Sequence, residues 1–328
     1  MKLLFIKLVE KNMIIGMTKS SLEVLREGIN TTYQDLGRKN LYHIGIPFSG
    51  AMDTRNYMLA NSLVCNEINT PVIEFAYQGP LLKLIGERIC FAISGDVTFN
   101  IIRKDFKLEE GKCYQNYFLE EGDQIDILST NKTVYGYLAV NGKFDLKLFW
   151  NSCSVNTKAK IGANDGEKIS IGDKISIVKS DPNISKKKIE YLNTKIEKIR
   201  VIQGTNYNYF SVKGKKDFFN NTFNVSKQTD RMGMRLEGSK IENIVDTNIK
   251  SEGLIKGAIQ VPADGNPIIM LSDHGTIGGY PKIGVVISAD YDKLVQLQPG
   301  SKIKFKEVSL FEAENLYKIY SIETQNIL

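Results

Sequence analysis

Along most of the chain, apolar and polar residues alternate with a period of two, the spacing that sets one face of a strand against a core and the other toward water. The pattern is plainest in GDQIDIL (122–128), GDKISIV (172–178) and PGSKIKFKEV (299–308), each opening on a glycine-containing turn. RICFAIS (88–94), VYGYLAV (134–140), KIRVIQ (198–203), GAIQVP (257–262), PIIML (267–271) and GVVIS (284–288) read as further strands. Many short strands with turns every ten or so residues predict a mainly β protein, built as barrels or sandwiches. The recurring glycine-turn signature is consistent with two similar halves.

The pattern predicts few helices, all short. Asp53 is placed to cap TRNYMLANSLVC, whose Tyr57, Leu59, Ala60, Leu63 and Val64 form one apolar face. Asp290 is expected to cap a short turn through YDKLVQL. Ser309 and Glu312 have capping-box spacing ahead of a last helix, with Leu310, Ala313, Tyr317 and Tyr320 on one face. The stretch KSDPNISKKKIEYLNTKIEK is polar, charged and proline-bearing, as a linker is. The expected organisation is an extension over 1–17, a first β unit over 18–182, a linker over 183–195, a second unit over 196–310 and a helix over 311–328.

Composition narrows the function classes. The chain has 328 residues, 43 basic and 37 acidic, for a net charge of +6 that is too small and dispersed to argue for nucleic acid. Lys186, Lys187 and Lys188 read as a solvated linker segment. Cys65, Cys90, Cys113 and Cys153 form no C-x-x-C pair, and His43 and His274 are the only histidines, so no zinc site of usual spacing is expected. Scattered cysteines point to a reducing compartment. Lys7, Glu10 and Lys11 interrupt the apolar N-terminus, and no cleavage-site pattern follows, so neither a signal peptide nor a membrane span is expected. A cytoplasmic protein with no covalently bound cofactor and no metal is the expectation.

Candidate chemistry lies in polar, glycine-rich connections. In 33–53 these are Gln34, Asp35, Arg38 and Ser49; a structured loop running into the Asp53-capped helix is the bland alternative. In TDRMGMRLEG, Arg231 and Arg235 would share a strand face and could grip a carboxylate or phosphoryl oxygen, or instead pair with Asp230 or Glu237. Gln260 lies inside an apolar strand and needs a partner if buried, and Asp264 sits in an Asp-Gly turn at the mouth of a strand pair. DHGTIGGYPKI (273–283) is no Walker loop, because a strand and not a helix follows it. Its Asp273, His274, Thr276, Gly278, Gly279, Tyr280 and Lys282 make either a plain turn or one wall of a ligand pocket, with bare N–H groups for an anion.

Taken together and in order, TTYQDLGR, GIPFSGAMD, EFAYQGP, DRMGMRLEG and SEG…GAIQVPADGNPIIMLSDHGTIGGYPKIGVVISAD resemble the C subunit of bacterial 5-oxoprolinase. That family is also labelled allophanate hydrolase subunit 2, or biotin-dependent carboxyltransferase-like. The resemblance implies two cyclophilin-like β-barrel units, a smaller subunit-B-like partner and a subunit-A-like partner. It implies ATP-dependent opening of 5-oxo-L-proline to glutamate, with no nucleic acid or membrane involved. Arg231, Arg235 and Lys282 are then the expected cations, and Asp264 and Asp273 the groups that orient a nucleophile or the substrate N–H. Two other functions stay open: carboxyl transfer to a urea-like acceptor, with biotin supplied in trans on a carrier, and a regulatory module that sequesters a partner. The family's usual D-R-Q-T-T-G-G-Y-P is altered here at His274, Gly275 and Ile277, which removes hydrogen-bonding groups and adds one that titrates near neutrality.

Overall fold

The computed structural model describes residues 20–178, 184–191, 196 and 198–328, so the expected N-terminal extension and much of the linker lie outside the described residues. The chain folds as a mainly β protein. Its first part forms a seven-stranded and a five-stranded antiparallel sheet. Alternation explains how they meet: Leu22 and Val24, Leu82 and Leu84, Ile125 and Ile127, and Ile175 and Ile177 point from the larger sheet into one core. Ile73 and Phe75, Phe91, Ile93, Leu138 and Val140 answer from the smaller sheet.

The smaller sheet is buried on both faces. Strands Val72–Ala76, Ile89–Ser94 and Tyr135–Val140 are buried throughout. Their second face offers the small residues Ala76, Cys90, Ala92 and Ala139 to a second core, shared with helix α1 (Thr54–Leu63) and the later half of the chain. The period of two therefore turns Glu74 toward that later half, opposite to its neighbours Ile73 and Phe75.

The later half carries an eight-stranded sheet, edged by Lys302–Ile303 at one side and Phe305–Glu307 at the other. The sequence pattern predicts one strand over 299–308. The structure instead breaks it at Lys304, the one residue separating the two edge strands, so the sheet curls until its ends nearly meet. Helix α2 (Val212–Asn220) plugs the barrel, with Phe218 stacked on Phe305 at a ring separation of 4.4 Å. The sequence pattern does not predict helix α2, because only Gly214 and Phe218 of its residues are buried.

The glycine-turn signature is one structure built three times. Gly122, Gly172 and Gly300 have φ of 87°, 86° and 84°, a region glycine enters freely. Each donates its N–H to a neighbouring strand, at Leu84, Val24 and Val225, and the same residues donate back to Asp123, Asp173 and Ser301.

Helix α1 begins as expected, with the Asp53 carboxylate accepting from the Asn56 N–H at 2.9 Å. Helix α3 (Ser288–Val295) does not start at Asp290: Ile287 is its cap, and Asp290 is drawn from the helix end to Arg200, whose Nε donates at 3.0 Å. The last helix, α4 (Leu310–Ile327), is capped by Ser309, and Ala313, Leu316 and Tyr320 pack inward while Leu310 stays exposed. Arg55 of α1 fastens it, donating to Thr324 Oγ1 at 2.8 Å and lying 3.7 Å above the Tyr320 ring. Among the described residues, no helix is long and apolar enough to cross a membrane.

Candidate functional site

Glu74, projected from the doubly buried sheet, meets Arg231 from the other half of the chain. Arg231 lies just before the strand Gly233–Glu237, so it does not share a strand face with Arg235. Its Nη1 pairs with Glu74, its Nε donates to Asp273 at 2.8 Å, and its Nη2 donates to the Gly50 carbonyl at 2.7 Å. The other Glu74 oxygen accepts the Met52 N–H at 2.7 Å. Burial opposes the Arg231 charge, but Asp273 and Glu74 outweigh it and hold the guanidinium pKa well above its ordinary value. Burial raises the Glu74 pKa, with Arg231 opposing it. The alternative that sequence left open, Arg231 paired with Asp230 or Glu237, does not form: Arg231 is the bolt between the halves.

Beside this centre, Gln34, Asp35 and Arg38 lean on residues 152–156. The Asp35 carboxylate accepts from Ser152 Oγ at 2.7 Å, Ser154 Oγ at 2.5 Å and the Cys153 N–H at 2.7 Å. Gln34 Nε2 donates to the Val155 carbonyl at 2.9 Å, and Asn156 Nδ2 to Ser49 Oγ at 3.3 Å. Arg38 is 1% exposed; its Nη2 donates to the Ser154 carbonyl, while Nε and Nη1 find no acceptor among the described residues. Burial lowers its pKa, with Asp35 and then Cys153 and Asp273 opposing.

Gly162 supports this shelf from behind. Its φ is 117°, and a Cβ there would stand 2.2 Å from the Ser154 carbonyl oxygen. Gly162→Ala is therefore expected to cost about 1–3 kcal/mol in a urea unfolding curve, by strain plus displacement of Ser154. An unchanged midpoint would show that the shelf gives way freely.

His274 carries the third group. Its Nδ1 lies 2.6 Å from the Gly275 carbonyl, which can only accept, so Nδ1 holds a proton. Neutral His274 then accepts from the Tyr42 hydroxyl through Nε2 at 3.0 Å. Burial lowers its pKa from 6.5, and Lys256 adds to the effect. The folded state thus binds less proton than the unfolded one, so this contribution to stability is full above pH 6.5 and lost as pH falls through the lower folded value. His274→Gln is expected to flatten the unfolding midpoint between about pH 5 and 7, relative to the unsubstituted protein.

A cavity of about 390 Å³ opens beside this loop, lined by Lys256, Tyr291, Asp292, Tyr320 and Thr324 among others. Tyr291 joins it to the centre, its hydroxyl 3.4 Å from Ser272 Oγ. The Lys256 ammonium rests 4.2 Å from the Tyr291 ring centre, and burial lowers its pKa.

The remaining candidates lie elsewhere. Register sets Gln260 opposite Lys282 and Ile268, and Arg235 opposite Ile268, at the barrel end away from the Gly233–Met270 pair. Gln260 Nε2 donates to the Tyr280 carbonyl at 3.3 Å, and Lys282 pairs with Glu252 at 2.6 Å. Ile277–Gly278 pairs with Glu252–Gly253, and the Thr276 and Gly279 carbonyls accept from Leu254 and Ile249. Asp264 is exposed and accepts from the Asn266 N–H at 3.0 Å and side chain at 2.8 Å. Arg231, Asp264 and Lys282 therefore do not converge. Sequence reasoning missed Glu74, Tyr42 and Lys256; a lone acid within VIEFA was the available signal for the first.

A family profile described as carboxyltransferase domain, subdomain A and B, matches residues 44–307. The chain belongs to this carboxyltransferase family. Within the family, it is 32% identical over 298 residues to the 5-oxoprolinase C subunit of Escherichia coli K12, covering 89% of this chain and 93% of that one. The Haemophilus influenzae protein of the same name is 32% identical over 300 residues, covering 90% and 94%. Urea amidolyase of Lachancea kluyveri is 27% identical over 324 residues, 90% of this chain but 17% of the relative. In three dimensions, the carboxyltransferase fold seen here is similar to part of the Kluyveromyces lactis urea amidolyase, with a TM-score of 0.84 and 26% identity over 94% of this chain. The chain spans about a fifth of that structure, 20% of its length. The crystal structure of TTHA0988 matches with a TM-score of 0.75 and 28% identity over 87% of this chain and 55% of that one. These relatives include subunits and regions of enzymes, so a subunit role in an enzyme of this family is supported.

Proposed function

We propose that the chain is the C subunit of an ATP-dependent 5-oxoprolinase, working with subunit-A-like and subunit-B-like partners to open 5-oxo-L-proline to L-glutamate. The observation that carries this reading is the near end-to-end match, at 32% identity, to two proteins named as C subunits of 5-oxoprolinase. The reaction consumes 5-oxoproline, ATP and two waters and yields glutamate, ADP and phosphate. A lactam is a poor electrophile, and transfer of a phosphoryl group to its oxygen makes the ring carbon open to attack.

Such a site needs a cation for the substrate carboxylate that the fold does not already use. Arg231 and Lys282 are committed to Glu74, Asp273 and Glu252, which suits them to holding walls. Arg38 is the better anchor, since two of its nitrogens lack acceptors. Neutral His274 with Tyr42 supplies a proton-handling pair next to Asp273. Asp264, bound to its own turn, takes no part in this reading.

The test is the chain mixed with purified subunit-A-like and subunit-B-like proteins, 5-oxoproline and ATP. Glutamate and ADP are expected in equal amounts. A second reading, carboxyl transfer from carboxybiotin on a separate carrier to a urea-like acceptor, is favoured by the similarity to urea amidolyase. No glutamate, together with carboxylation of urea by carboxybiotin, would replace the first reading with the second.

A further inference from the structure

Away from these residues, turns of the first part of the chain face the end of α3 across a cleft of about 800 Å³. Both sides bring lysines to it: Lys112 and Lys132 from one, Lys293 and Lys302 from the other. Among the described residues of its lining, the one acid, Asp96, is already committed, accepting from Asn131 Nδ2 at 3.0 Å and the Lys132 N–H at 3.1 Å. Among the described residues, Lys112, Lys132 and Lys302 have no carboxylate partner. Lys293 is half-buried, and its pKa is lowered by burial first and then by Arg55, with Asp290 and Glu323 opposing.

The cleft is bolted open. Gln296 Oε1 accepts the Tyr135 N–H at 2.8 Å, and its Nε2 donates to Asp53 at 2.8 Å. Gln298 Nε2 donates to the Asn131 and Thr133 carbonyls at 2.9 and 3.0 Å. The size matches small-molecule sites, roughly 300–1,000 Å³, so the occupant is a small molecule and not a folded partner. Lysines lining both walls suit an anion of more than one charge, held by point charges that need no planar fork.

We propose that this cleft binds a small molecule carrying two or more phosphoryl groups, gripped between Lys112 and Lys132 on one wall and Lys302 on the other. The site stands apart from the ring-opening reading, and its test needs neither partner subunits nor 5-oxoproline. The full chain is titrated calorimetrically with inorganic triphosphate. One saturable site is expected, with affinity falling as salt rises. Lys112→Gln with Lys302→Gln should weaken binding roughly 10-fold or more, because each removes an ammonium from an opposite wall. Lys158→Gln with Lys213→Gln, on lysines paired with Asp230 and Asp217, removes the same charge elsewhere and should change affinity less than about twofold. All four positions are exposed, so folding is retained. No saturable binding, or equal weakening in both double variants, overturns the proposal. ADP serves as the second arm: binding tighter than inorganic pyrophosphate assigns the site to nucleotides, and equal binding assigns it to phosphoryl groups alone.

Discussion

Arg231→Met is expected to destabilise the protein by about 3–5 kcal/mol, read as a lower urea midpoint at unchanged slope. The size follows from what is left behind. Glu74 is 1% exposed and Asp273 is 6% exposed, and Arg231 is the cation paired with both. Methionine keeps most of the stem volume, so the loss is electrostatic and not a cavity. Two carboxylates would then face each other in a site shielded from water, and one or both must take up a proton to stay folded. The same reasoning predicts a rescue. Adding Glu74→Gln and Asp273→Asn to Arg231→Met removes the stranded charges and should recover more than half of the loss, roughly 2 kcal/mol. If the single substitution costs less than about 1 kcal/mol, the centre is reached by water and is no bolt.

The parts of the fold visible in the sequence are those set by local alternation. Ile89–Ser94 and Tyr135–Val140 fall within a residue of their expected bounds, since every position in them is apolar or small and buried. The break at Lys304 is invisible in the sequence because alternation runs straight through it; the bend is imposed by strands elsewhere in the barrel, at Phe223–Val225 and Ile199–Gln203. Helix α2 is hidden for a related reason, having too few inward residues to show a stripe. Polar residues in glycine-rich connections marked Asp35, Arg38, Ser49, Arg231, Asp273 and His274, and the fold gathers these near one another. Which cations are spent on carboxylates was not legible. Arg231 finds Glu74 across 157 residues, and Lys282 finds Glu252 from a neighbouring strand pair. Asp264 shows the opposite case, where the bland reading of an Asp-Gly turn accounts for both hydrogen bonds its carboxylate accepts from Asn266.

For the 5-oxoprolinase reading, Arg38→Met is expected to lower kcat/KM for 5-oxoproline roughly 100-fold, about 3 kcal/mol, mostly through KM. The side chain is oriented by its Nη2 bond to Ser154, while Nε and Nη1 keep hydrogens that nothing among the described residues accepts. A carboxylate is the natural counterpart of a buried guanidinium, and a charge-assisted bond in such a place is worth more than in water. The lactam 2-pyrrolidinone, which has the ring and no carboxylate, separates binding from structure. It should be a poor substrate for the unsubstituted complex and no poorer for the variant, because the group Arg38 would hold is missing. Arg38→Lys should restore part of the KM for 5-oxoproline, since the charge returns without the planar fork. Folding itself should not suffer, as methionine removes a buried charge whose own pKa burial already lowers. Equal losses on both lactams would mean that Arg38 holds the 152–156 shelf in place, and the carboxylate anchor would have to be sought at Lys256.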